Sequence, residues 1–82
     1  MATDKLFNVF GVSKHNGEYK VRFATDVMRT KVLVKHGHED IRLVDIEKSV
    51  TKYEGITAIK TRPEFADAAA QAAIAEYLED KA

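Results

Sequence analysis

The chain has 82 residues, 45% of them hydrophobic and 32% charged, with 13 basic and 13 acidic side chains and no cysteine. A chain of this size has room for one domain, residues 1–82, and it buries only about 60% of the surface that its unfolded form exposes. The composition excludes a disordered chain, and the missing cysteines exclude both a disulfide framework and a thiolate metal site, so association is the obvious remaining source of buried surface.

The charges are not evenly mixed. Residues 1–62 hold 12 basic and 8 acidic side chains, a balance of +4, whereas residues 63–82 hold 1 and 5, a balance of −4. A basic body followed by an acidic tail can steer partners. The first residues, MATDKLFNVFG, carry two charges and no long apolar run. No stretch approaches the ~18 apolar residues of a membrane span, so the expected location is the cytoplasm, without membrane contact.

In chain order, the first strong signal is Asn16-Gly17, which suits a two-residue turn with positive φ at both positions and predicts a β-hairpin over residues 5–24. After it, Tyr19, Val21 and Phe23 alternate with charged residues. If the turn is centred there, Val12 lies opposite Val21 and Phe10 opposite Phe23, which sets apolar residues against apolar ones. Strict alternation points Leu6, Phe10 and Val12 into the core. It then points Phe7 and Val9 the other way, onto a face that is either covered as well or adhesive.

Residues 26–36 are open to two readings. Thr25 or Asp26 can cap a helix that Gly37 closes, yet Met28, Thr30, Val32 and Val34 fall on one face of a strand and the valines favour one. The helix gives the usual crossover length to the next strand, and the alternative is a second hairpin looping at His36–Asp40. Ile41–Ile46 reads as a strand under either scheme.

The remainder is helical. Thr51 with Glu54 makes a capping box for a helix over 52–60, in which Tyr53, Ile56 and Ile59 recur and Gly55 costs about 1 kcal/mol relative to alanine. Thr61 and Glu64 repeat the pattern, with Pro63 in the first turn, for a helix over 62–80. On that helix Ala70, Ile74, Tyr77 and Leu78 share one side, while Ala68, Ala72 and Ala75 form a second stripe. The expected fold class is α+β: a small antiparallel sheet, made of the hairpin and the strand at 41–46, with the two C-terminal helices on one face.

The order of Gly37-His38, Asp40-Ile41-x-Leu43, a Thr-Lys capped helix, then Pro-Glu-Phe and a terminal helix resembles uncharacterised small proteins of marine cyanobacteria and their phages. The likeness spans about residues 25–65. It implies a helix at 26–36 and a bacterial or phage context, with no activity or site residue to carry over. One departure stands at Lys48-Ser49-Val50, where such proteins usually have a proline before the capped helix.

For chemistry, the chain has no Gly-rich phosphate loop, no G-x-S-x-G, no H-E-x-x-H and no cysteine nucleophile, and an enzyme is not expected. No cofactor is implied. His36 and His38 are of a metal-binding type, but residues at i and i+2 face the same way only on a strand, and a third ligand must come from elsewhere; they read as a polar turn. Two binding readings remain. The first is an accessory or adaptor protein that acts through protein contact, as a homo-oligomer, a dimer, and on a further protein partner, with Phe7, Val9, Ala68, Ala72 and Ala75 as interface candidates. The alternative is a nucleic-acid-binding module using Lys20, Arg22, Arg29 and Lys31 on a basic sheet face, against which the acidic last helix would work.

Overall fold

The computed structural model describes residues 5–25 and 29–81, with the side chains of Arg29 and Lys81 excepted. The elements run β1 (Phe7–His15), β2 (Glu18–Ala24), α1 (Arg29–Lys35), β3 (Glu39–Val50), α2 (Lys52–Ile59), a 3-10 turn (Pro63–Phe65) and α3 (Ala68–Lys81). The three strands form one antiparallel sheet in the order β2-β1-β3, so β1 is central. This is a small α+β fold.

The hairpin forms as its turn chemistry dictates. Asn16 and Gly17 both adopt positive φ, 54° and 79°, and the register sets Val12 opposite Val21 and Phe10 opposite Phe23. One face of this hairpin meets α2, the 3-10 turn and α3. There Phe7, Phe10 and Val12 join Ile56, Ile59, Phe65, Ala70, Ala73 and Ile74 in the main core, flanked by Tyr19, Val21, Phe23, Val44 and Ile46.

Of the two residues expected on the outer face, Phe7 turns into the main core at 7% exposed, while Val9 keeps to the outer face but is covered at 0% exposed, so neither is an exposed interface residue; Leu6, expected inside, is 50% exposed. The β1–β3 pairing slips between Phe7 and Val9, from Phe7↔Val50 to Val9↔Asp45. A slip of this kind breaks the two-residue alternation, so Phe7 joins the core with Phe10 while Val9 faces the other side. That other side is closed too, since Val9 and its partner Ala24 are both buried outside the main cluster.

The segment open to two readings is helical over Arg29–Lys35; residues 26–28 lie outside the described residues. Its end explains why the helix prevails over the strand-like spacing of its valines. Gly37 (φ 84°) donates its N–H to the Val34 carbonyl and His38 donates to that of Leu33, 3.0 Å each, the paired closure that a left-handed glycine permits. α1 packs against β3 and buries Leu33.

The first capping box is present in both directions. The Glu54 amide donates to Thr51 Oγ1 and the Thr51 amide donates to Glu54 Oε1, 3.3 Å each. The second does not form: Arg62 precedes the turn at Pro63–Phe65 without a side-chain cap, and its guanidinium holds Glu64 at 2.9 Å. The long helix instead begins at Ala68, where Asp67 Oδ2 accepts the Ala70 amide at 3.2 Å. Gln71 ties this junction down, its Nε2 donating to the carbonyls of Lys60 and Phe65 at 2.9 and 2.6 Å.

Two glycines are fixed by close approach. A β-carbon on Gly11 would overlap the Arg42 backbone of β3, and one on Gly55 would overlap the Phe10 ring. The helix cost of Gly55 is therefore the condition for seating α2 on the sheet.

Candidate functional site

Among the described residues, four features are candidates for carrying function. The first lies on the sheet face away from α2. Ser13 is fully buried; its Oγ accepts a hydrogen bond from Arg22 Nε and lies against His38 Nδ1, each at 2.7 Å. His38 also stacks on His15, the rings 4.1 Å apart and within 2° of parallel. β1 places Ser13 and His15 two residues apart on one side, and β2 brings in Arg22 beside them. A serine–histidine contact invites a nucleophile reading, but with 0% exposure the hydroxyl cannot reach a substrate. The arrangement works as a polar strut linking all three parts of this face.

The second group is built around Arg42 on β3. It holds Asp67, at the start of α3, and Asp40 Oδ2 at 3.1 Å, and its Nη1 donates to the Glu64 carbonyl at 2.9 Å. Tyr19 donates its hydroxyl to Asp40 at 2.7 Å, and that bond raises the phenol's pKa. The Arg42 hydrogen bond, with the Ala70 amide, pulls the Asp67 carboxyl down to about 2. These are fastenings between β3 and the α3 start.

The third is the outer surface of α3. Ala68, Ala72 and Ala75 are exposed, while Ala70, Ala73 and Ile74 are buried. At 100° per residue the exposed alanines share one side with Glu79, and Glu76 and Asp80 border them. The fourth is a groove of about 350 Å³ where α3 lies along β2, lined by Val21, Phe23, Ala73 and Tyr77 with Lys20, Arg22, Glu76 and Asp80 at its rim. Phe23 is sandwiched in this region, its centroid 5.3 Å from Phe7 and 6.0 Å from Tyr77, with Lys52 Nζ 4.6 Å from the ring centre.

The candidates from the sequence are thus separated. Of the interface set, Phe7 and Val9 are internal and the three alanines are external. Of the basic set, Lys20 is bonded to Glu76 at 2.7 Å, Arg22 is half-buried against Ser13, Lys31 is exposed on α1, and the Arg29 side chain lies outside the described residues. His36 sits exposed in the turn after α1, whereas His38 turns inward to His15; among the described residues no three His, Asp or Glu side chains converge as a metal site. Periodicity misses the Ser13–Arg22–His38 strut, whose members are 9 and 25 residues apart, since a hydrogen bond between distant strands leaves no local pattern. Ser13 itself gave no signal, because a polar residue after Val12 fits the alternation of β1 and reads as surface.

No helix among the described residues is long and apolar enough to cross a membrane. Neither protein-family models, nor curated proteins, nor solved structures yield a match to this chain.

Proposed function

We propose that this chain is a non-enzymatic accessory protein that works through protein–protein contact and pairs with a second copy of itself. One observation carries the reading: two outward helix faces of opposite charge each hold uncovered apolar side chains. On α3 these are Ala68, Ala72 and Ala75 beside Glu76, Glu79 and Asp80. On α1 they are Val32, 38% exposed, and Val34, 61% exposed, which flank the outward row of Lys31 and Lys35 on either side. Alanines let another helix approach closely, and the lysines of one copy meet the carboxylates of the next. In a two-fold dimer the same contact is made twice and closes on itself. The gain is greatest for a small chain, whose own core leaves much apolar surface in water.

Light scattering on the purified chain tests this. A dimer is expected at high micromolar concentration in low salt, shifting toward monomer as salt screens the lysine–carboxylate contacts. Ala72→Glu is expected to give a monomer with unchanged helical circular dichroism. A strict monomer at high micromolar concentration sinks the reading, and a salt-dependent shift of labelled DNA or RNA would replace it with the nucleic-acid one.

A further inference from the structure

The groove along β2 has a property that self-association through α1 and α3 does not use. β2 is an edge of the sheet, so one side of its backbone offers amides and carbonyls that no strand among the described residues pairs. α3 runs beside that edge and forms the second wall of the groove. Edge strand and helix together make a slot open to an extended chain, whose backbone would pair with β2 while its side chains alternate between two environments.

Those two environments differ in chemistry. On one side of β2 stand Val21 and Phe23, which with Ala73 and Tyr77 make an apolar lining. Burial pushes the Tyr77 phenol up, in keeping with a lining of low polarity. On the other side stands Arg22. It donates Nε to Ser13 Oγ at 2.7 Å, and among the described residues it makes no ion pair. By contrast Lys20, its neighbour on the edge, is already held by Glu76. Arg42 and Arg62, the other arginines whose side chains are described, each hold carboxylates. Arg22 is thus a half-buried guanidinium with donors to spare and no carboxylate partner among the described residues, which favours a carboxylate arriving at that point.

We infer that the β2 edge takes an extended segment of a partner protein as a fourth strand, one in which aspartate or glutamate alternates with apolar residues. The apolar side chains enter the groove over Val21 and Phe23, and a carboxylate on the opposite side of the same strand meets Arg22. Glu76 and Asp80 on the helical wall keep acidic side chains out of the groove, which fixes the facing of the incoming strand. A second copy's β2 is a poor occupant. In the full-length two-fold register centred on Val21 it opposes Lys20 to Arg22 twice, and like charges directly across a ladder destabilise it.

The test is a titration of the ¹⁵N-labelled full chain with the acetylated, amidated peptide Leu-Asp-Leu-Asp-Leu, read by amide chemical shifts. Shifts are expected at residues 18–24 and 73–80, with a peptide carrying lysine for aspartate at least about tenfold weaker, the effect of one lost charge-assisted pair. Arg22→Gln is expected to weaken the aspartate peptide by a similar factor while the lysine peptide is unaffected. Should Arg22→Gln disturb the Ser13 strut and the fold, peptides N-methylated at alternate amides give the answer on the unaltered chain: one set is expected to abolish binding and the other to preserve it. Absence of shifts at millimolar peptide, equal binding of the lysine peptide, shifts centred on α1 or β3, or indifference to methylation would overturn the inference. Each of those results leaves the light-scattering dimer untouched, so failure here and failure of the self-association reading are told apart.

Discussion

The two faces of the sheet are closed by different chemistry. Toward α2 and α3 the hairpin presents Phe7, Phe10 and Val12, and every fully buried neighbour there is apolar. On the reverse, Val9 and Ala24 share their side with Ser13, Arg22, His15 and His38, joined by hydrogen bonds and a ring stack. The first face depends on volume and shape, and many apolar residues of suitable size would serve it. The second depends on particular donors and acceptors, so a single substitution removes hydrogen bonds that no change of volume restores.

The largest expected effect tests the apolar face. Phe10→Ala empties the centre of the main core, since the ring is fully buried and lies against Gly55, and a loss of about 3–5 kcal/mol is expected in urea denaturation. Much of a small domain's stability, ~0.05–0.15 kcal/mol per residue, would then be gone. Gly55→Ala comes next and gives the sharper contrast. Helix propensity alone predicts a gain of about 1 kcal/mol, whereas the ring of Phe10 stands where the new methyl must go. A loss of about 1–3 kcal/mol from overpacking is the expected outcome. A measured gain would mean that α2 does not sit on the sheet as described.

On the polar face, Ser13→Ala removes the oxygen shared by Arg22 and His38. Its expected cost of about 1–3 kcal/mol comes from two lost hydrogen bonds, one of them to the half-buried Arg22 guanidinium, rather than from lost volume. If Ser13→Ala proves neutral, the strut contributes nothing and the two faces do not differ in the way described. The smallest effect lies outside both faces, at Asp67. Its carboxyl is depressed to about 2, first by the Arg42 hydrogen bond. A depressed acid adds stability that is present above its unfolded pKa, near 3.8, and is lost as pH falls through about 2. Asp67→Asn should flatten the stability curve between about pH 4 and 2, a modest change because the pair is exposed to solvent.

Local chemistry made the hairpin legible. A turn dipeptide that needs positive φ, and the pairing of Phe10 with Phe23 and Val12 with Val21, are properties of adjacent residues. The Thr51–Glu54 box was legible for the same reason. Its repeat at Thr61–Glu64 misled because Glu64 turned to Arg62, and Asp67, already held by Arg42 from β3, became the cap. Of the site residues, the outward alanines followed from helical spacing. The groove along β2 did not, because it exists only where α3 lies beside an edge strand some 50 residues earlier in the chain.

By itself, then, the sequence determined a basic body with an acidic tail, an α+β class, the hairpin register and the start of α2, all set by neighbours in the chain. Tertiary structure decided the rest. A slip in the β1–β3 ladder turned Phe7 inward, and a ring resting on a helix required Gly55. Contact between β1, β2 and the residue before β3 drew two candidates, Arg22 and His38, together with Ser13 into an internal strut. Such outcomes depend on which strands lie side by side, and side-chain periodicity records only the inside and outside of each strand alone.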